Sequence, residues 1–149
     1  MSAKVGIISD THGLMRPEVL EVLKTCDYVL HAGDFTEEKI LDQIRFIGQL
    51  YAVRGNSDGL WARGLAEKLR FRIEDLEFLL VHDRNKARAA ALEADVVVSG
   101  HTHRYSEEVA DGRLWLNPGT CGWPRFPGEV SMAVMEITGR KYRITRIML

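Results

Sequence analysis

Seven residues able to bind a metal ion recur along this chain in one setting. Each follows a short apolar run. Asp10 and His12 follow Val5–Ile8, and Asp34 follows Tyr28–Leu30 through Gly33. Asn56 follows Leu50–Val53 through Gly55, His82 follows Phe78–Val81, and His101 and His103 follow Val96–Val98 through Gly100. Imidazole and carboxylate donors with no thiolate among them suit Mn, Zn, Fe or Ni. Seven donors are too many for one tetrahedral zinc ion. With one carboxylate shared, they suit a pair of ions roughly 3.5–4 Å apart. The single-residue spacing in Asp10-Thr11-His12 and in His101-Thr102-His103 lets both side chains leave an extended strand end on the same side.

Each residue taken singly has a plainer reading. Asp10, Asp34 and Asn56 fit turns or helix N-caps. A lone His82 fits a hydrogen-bonded, half-buried histidine, and His31 reads as structural or as a support behind the ligands. The weight lies in the set, because four of the five histidines fall in it.

These residues need elements that bring them together. Val5–Ile8, Tyr28–Leu30 and Leu50–Val53 read as strands. Helical stripes at Val19, Leu20, Val22 and Leu23 and at Ile40, Leu41, Ile44 and Ile47 separate them, with Pro17 suited to a first helical turn. Strands alternating with helices predict βαβ units and a mainly parallel sheet. In such sheets the carboxyl ends of the strands converge on one crevice. Leu69–Ile73 and Phe78–Val81 predict two strands around Glu74–Glu77, Ala87–Glu93 a short Ala-rich helix, and Asp95–Ser99 a further strand. The C-terminal third reads as β: Glu107–Ala110, Arg113–Leu116, Glu129–Ile137 and Lys141–Met148, with turns at Asp111-Gly112 and Thr138-Gly139. There Val130, Met132 and Val134, and Tyr142 and Ile144, alternate with polar neighbours as half-buried antiparallel strands do. The expectation is an α/β chain of two packed sheets with helices outside, one domain over residues 1–149.

Composition narrows the class. The 149 residues are 46% apolar and 28% charged, with a formal net charge of -1. That gives no basic field for long nucleic acid. No apolar stretch approaches the roughly 20 residues of a membrane helix, and Val5–Ile8 is too short for a secretory leader. Cys26 and Cys121 form no CxxC pair, so neither a thiolate zinc site nor a dithiol redox site is expected. A cytoplasmic protein is the expectation.

The ordered pieces Asp10-x-His12, Gly33-Asp34, Gly55-Asn56, His82 and Gly100-His101-Thr102-His103 resemble the calcineurin-like metallophosphoesterases. Asn117-Pro118-Gly119-Thr120 is similar to a segment of the small phosphodiesterase branch of that superfamily. The resemblance implies a four-layer αββα sandwich, two packed mixed β-sheets flanked by helices. It implies one metal on Asp10, His12, Asp34 and His103. A second would lie on Asp34, Asn56, His82 and His101, with Asp34 bridging. Manganese is the first expectation, with Ni, Zn, Fe or Mg as alternatives. A water between the ions would lose a proton and attack phosphorus in line. Four positive charges from the ions, less two from Asp10 and Asp34, suit hydroxide plus a phosphodiester monoanion.

Two positions depart from the family pattern. Where many members carry a His after the Gly-Asn pair, this chain has Ser57 and then Asp58. Losing a positioned acid can slow a reaction about 10²–10⁴-fold. Asp58 could orient water or act as the acid, which places it with Asp34 and Asn56 as expected catalytic residues. Asp83 follows His82 where Gly is frequent, and suits a helix N-cap. Ser57 and Arg125 are the expected substrate contacts, Arg125 as a bidentate phosphate fork or as a solvated loop residue. Trp61, Trp115 and Trp123 fit core, cleft rim or a homodimer face. The expected substrate is a small phosphodiester. The rival reading is a scaffold like the retromer subunit that resembles this family, with weak or no catalysis, using its surface for protein partners.

Overall fold

The computed structural model describes residues 2–125 and 129–149. Ten strands form two five-stranded mixed sheets. The first has the order β10-β9-β1-β2-β3, from Ala3–Ile8 (β1), Tyr28–His31 (β2), Gln49–Ala52 (β3), Ser131–Thr138 (β9) and Lys141–Met148 (β10). The second has the order β4-β5-β6-β8-β7, from Lys68–Ile73 (β4), Leu76–Val81 (β5), Val96–Val98 (β6), Tyr105–Ala110 (β7) and Arg113–Pro118 (β8). This is the α/β sandwich expected of the sequence.

Side-chain alternation builds the layers. On β1, Val5 and Ile7 point between the sheets and meet Phe71, Phe78, Leu80, Val98 and Leu116 from the second sheet. Ile8 points the other way, onto helices α1 (Pro17–Leu23) and α2 (Glu38–Ile44), whose Val19, Leu23, Ile40 and Ile44 are buried. Each helix has two turns, too short to persist alone in water. Packing of its apolar stripe against β1–β3 holds it in place. A smaller cluster covers the outer face of the second sheet, where Leu79, Val81 and Val97 meet Ala87, Ala91 and Ala94.

Register sets the functional edge. Ile8 pairs with His31, and His31 with Ala52, so three parallel strands end level. In the second sheet Leu80 pairs with Val98 and Val98 with Leu116, again all parallel.

Three expectations are corrected. Ala87–Glu93 is not one helix but a 3-10 turn at Arg84–Lys86 followed by a 3-10 segment at Arg88–Glu93. The cause is local: Arg88 has φ +50°, which no α-helix accommodates. The last sheet pair is not uniformly half-buried. β9 begins at Ser131, not Glu129, and is buried from Ser131 to Met135, because it lies between β10 and β1 with both faces covered. Edge strand β10 is the half-exposed one. The final hairpin turns at Gly139-Arg140, since Thr138 pairs with Lys141. The Asp111-Gly112 turn stands as expected, both residues having positive φ. Of the tryptophans, Trp61 packs edge-on to Phe35, Trp115 lies under the Arg84 guanidinium, and Trp123 is exposed. No helix among the described residues is long and apolar enough to cross a membrane.

Candidate metal centre

All seven predicted donors gather at the edge where the parallel strands end. The Asp10 carboxylate is fully buried. Its Oδ2 accepts from Ser9 Oγ at 2.6 Å and from the His101 backbone N–H at 3.0 Å. Its Oδ1 has no hydrogen-bond donor among the described residues. Three imidazole nitrogens surround that oxygen instead: His103 Nε2 at 3.3 Å, His12 Nε2 at 3.7 Å and His82 Nε2 at 3.9 Å. Asp34 Oδ1 accepts the Ser57 N–H at 2.9 Å, while its Oδ2 lies 3.2 Å from His82 Nε2 and 3.7 Å from His12 Nε2. Asp10, His12, Asp34 and His103 offer ligand atoms that all lie within 4.8 Å of one another. His82 then leads onward: its Nε2 is 3.3 Å from His101 Nδ1, which is 3.2 Å from Asn56 Oδ1.

The donor chemistry fits a cation. His82 Nδ1 is held by the Ala32 carbonyl at 2.7 Å, so this nitrogen carries the proton and donates. That leaves the neutral ring's Nε2 lone pair facing Asp34 Oδ2. Two acceptors that close repel unless a positive charge lies between them. A proton serves in the metal-free protein, a metal ion in the loaded one. A buried carboxylate oxygen without a donor, ringed by imidazoles, makes the same demand at Asp10.

Electrostatics follow from this crowding. Burial pushes the Asp10 carboxyl up, but His103, His12 and His82 outweigh it and hold the group well below the usual carboxylate range. Asp34 is likewise lowered, burial being outweighed by His82 and the Ser57 N–H. Asp10 raises the pKa of His12, against burial. His82 is raised too, Asp34 and Asp10 prevailing over desolvation. Metal binding needs both rings neutral, so it must release their protons. Apparent metal affinity should therefore rise with pH throughout the range below the raised values of His12 and His82, which lie above the ordinary 6.5, by at most about tenfold per pH unit for each proton released. It should level off once the raised values are passed, and fall as pH drops through them. Titration calorimetry across pH reads this directly; affinity flat between pH 6 and 8 would refute it.

Backbone conformation was not foreseen from the sequence. Asp10, His12, Asp34, His101 and His103 all have φ between +46° and +73°. Asp and His tolerate this left-handed region better than most residues, yet at a cost of roughly 1–2 kcal/mol each. Glycines leave room for the loops. A Cβ on Gly55 would lie 2.1 Å from Asp34 Oδ1, and one on Gly100 would lie 2.0 Å from Ser9 Oγ.

Supporting residues were partly missed. Asp58, expected at the reacting atoms, has both oxygens engaged by backbone: Oδ2 accepts from Asp34 N–H at 3.0 Å and Gly55 N–H at 2.8 Å, Oδ1 from Thr36 N–H at 2.8 Å. It clasps the loops after β2 and β3. His31 is fully buried, stacked on Phe35 at 3.6 Å. It accepts from Gly33 N–H at Nδ1, so Nε2 donates to Thr11 Oγ1. Burial pushes its pKa down to about 3, so it stays neutral. Asn117 donates to the Gly100 carbonyl and to Thr102 Oγ1, and Thr120 donates to the Asp10 carbonyl. The Asn117–Thr120 segment thus buttresses two ligand loops. Asp83 accepts from the Asn85 N–H, capping the 3-10 turn as expected of an N-cap. Ser57 is exposed beside Asn56. Arg125 is exposed, and no contact among the described residues ties it to the cluster. Cys26 and Cys121 are buried free thiols, and burial pushes Cys121 up to about 12, which makes it inert.

A family model described as the calcineurin-like phosphoesterase superfamily domain matches residues 3–140. The chain belongs to that superfamily. A protein of Methanothermobacter thermautotrophicus named a probable metallophosphoesterase is 33% identical, covering 92% of this chain and 87% of the relative. A phosphodiesterase of Methanocaldococcus jannaschii is 27% identical over 94% of this chain and 96% of its own. Among solved structures, Vacuolar Protein Sorting 29 of Cryptosporidium parvum superposes with a TM-score of 0.80 at 22% identity, covering 98% of this chain and 97% of that one. At that identity the likeness speaks for the calcineurin-like fold alone. The superfamily and the cluster of metal-capable side chains together support a hydrolase.

Proposed function

We propose that this chain acts as one domain that hydrolyses a small phosphodiester with two divalent ions, manganese foremost and Ni, Zn, Fe or Mg as alternatives. One observation carries the reading: a single oxygen, Asp34 Oδ2, faces both His12 and His82 and so joins two donor sets. Asp10, His12, Asp34 and His103 would hold one ion, and Asp34, Asn56, His82 and His101 the other. When bound, the ions supply an acidified water as nucleophile and stabilise charge developing on the phosphoryl oxygens.

The chain's own residues do the positioning. The Ser57 N–H fixes Asp34 Oδ1, which turns Oδ2 toward the histidines. The Ala32 carbonyl fixes the His82 tautomer. Asp58 acts through Asp34 and Gly55, whose N–H groups it holds, and is therefore a positioning residue. With serine at 57, the leaving group gains little help from a side-chain acid, so esters with acidic leaving groups are favoured. The Ser57 hydroxyl, beside Asn56, is the proposed contact to a phosphoryl oxygen. Arg125 is kept as a second contact from the loop after Thr120.

The phosphodiesterase among the relatives supports the diester preference. The Vacuolar Protein Sorting 29 likeness is what the scaffold reading rests on. The complete donor set around an unsatisfied Asp10 oxygen favours the enzyme. The test strips the protein of metal and adds back each ion separately. It then compares bis(p-nitrophenyl) phosphate with p-nitrophenyl phosphate. Turnover with manganese, faster on the diester, is expected. Folded protein that turns over neither ester with any of the five metals would sink the enzymatic reading.

A further inference from the structure

A cleft of about 120 Å³ is lined by Asn56, His82 and His101 together with Arg54, Lys68 and Lys86. That is roughly four waters' worth of space, enough for a group of phosphate size. Backbone pairing fixes both lysines next to His82. Lys68 pairs with Val81 across the β4–β5 ladder, one residue from His82. The Lys86 N–H donates to the Asp83 carbonyl at 2.9 Å, in the turn that follows His82.

The other charged groups of the cleft are already engaged. Arg54 donates to the Leu65 carbonyl and pairs with Glu67 at 3.4 Å. Asp83 accepts from the Asn85 N–H. Among the described residues the lysines with ion pairs are Lys24 and Lys39, far from this edge in the sequence; Lys68 and Lys86 have none. Arg54 and Glu67 cancel, and two lysines against Asp83 leave one positive charge over. The metals, Asp10, Asp34, hydroxide and a scissile diester already balance among themselves. The surplus charge therefore answers a different group on the substrate.

We propose that this cleft is a subsite for a second phosphate, held by Lys68 and Lys86, so that the preferred substrate is a phosphodiester bearing a further phosphate on one ester arm. The proposal rests on the two-metal phosphodiesterase reading. Lysine suits the task as a mobile point charge able to meet a phosphate from several directions.

The test compares two chromogenic esters with the same scissile bond and leaving group: thymidine 5′-(p-nitrophenyl phosphate) with and without a 3′-phosphate. The reading is the ratio of their kcat/KM values in manganese-loaded protein, so any general loss in a variant cancels. A ratio on the order of tenfold is expected, near the upper end of what two exposed charge contacts supply. It should shrink with added salt and approach one in the variant carrying Lys68→Gln and Lys86→Gln. A ratio near one in the parent protein, or an undiminished ratio in the variant, overturns the proposal. Calorimetry separates this from failure of the catalytic reading. If the parent hydrolyses neither ester, the affinities of thymidine 3′,5′-bisphosphate and thymidine 5′-phosphate for the manganese-loaded protein decide. A preference for the bisphosphate lost in the variant sustains the subsite, and equal affinities reject it.

Discussion

On the proposed two-metal phosphodiesterase reading, replacing Asp34 by alanine should lower phosphodiester turnover by about 10³-fold or more and cost at least one of the two proposed metal ions. Asp34 Oδ2 lies 3.7 Å from His12 Nε2 and 3.2 Å from His82 Nε2, so the same oxygen belongs to both donor sets. Asp10 Oδ1 also faces both sets, but at 3.9 Å from His82 Nε2 it lies farther from the second set than Asp34 Oδ2 does, and closest to His103 at 3.3 Å. A metal contributes several kcal/mol of transition-state stabilisation, and each 1.36 kcal/mol is about tenfold in rate. The measurement pairs metal analysis of the purified variant with its steady-state rate on bis(p-nitrophenyl) phosphate. Two ions retained, or more than a tenth of the rate, would remove Asp34 from the bridging role. Circular dichroism checks that the variant is folded, since Asp34 is buried and its carboxylate accepts the Ser57 N–H.

The second large effect concerns Gly100. A Cβ there would sit 2.0 Å from Ser9 Oγ and 2.5 Å from Asp10 Oδ2. Both atoms are buried and hydrogen-bonded to each other, so the clash cannot be relieved by swinging a side chain into solvent. Gly100→Ala should cost about 1–3 kcal/mol of stability, the usual penalty of overpacking, and should displace the Asp10 carboxylate. The sharper readout is the gain in melting temperature on adding manganese. Ligand binding at about a hundred times its dissociation constant stabilises by roughly 2.7 kcal/mol, and the variant should lose most of that gain. Gly64→Ala is the control, since nothing lies within 4 Å of a Cβ there. A full manganese-dependent gain in Gly100→Ala would show that the Gly100 loop does not set the metal site.

That seven metal-capable side chains gather at one edge is legible in the sequence because chain order and topology agree. Parallel strands that end level must bring their following residues together, and the pairings of Ile8, His31 and Ala52 do so. What lay out of reach depended on facing partners. Asp58 reads from sequence as a candidate acid because carboxylates often are. Only the fold shows three backbone N–H groups converging on it. His31 reads from sequence as structural or as a support behind the ligands, while its stacking on Phe35 and its fixed tautomer are tertiary facts. The Ala-rich stretch failed as a helix through one dihedral at Arg88, which helix propensity does not encode. The burial of β9 on both faces comes from its neighbours rather than from its own alternation, so the sequence pattern does not show it.

The left-handed backbone at Asp10, His12, Asp34, His101 and His103 sets heat resistance against retention of the site. Glycine adopts that conformation without the penalty a side chain brings. At these positions, the residues that would relax the metal-free chain are ones that cannot hold an ion. A library selected only for survival on heating, in the presence of a chelator, would therefore drift toward glycine at His101 and His103 and lose the centre. Including the metal during selection reverses that drift, because the ion then rewards the strained ligands.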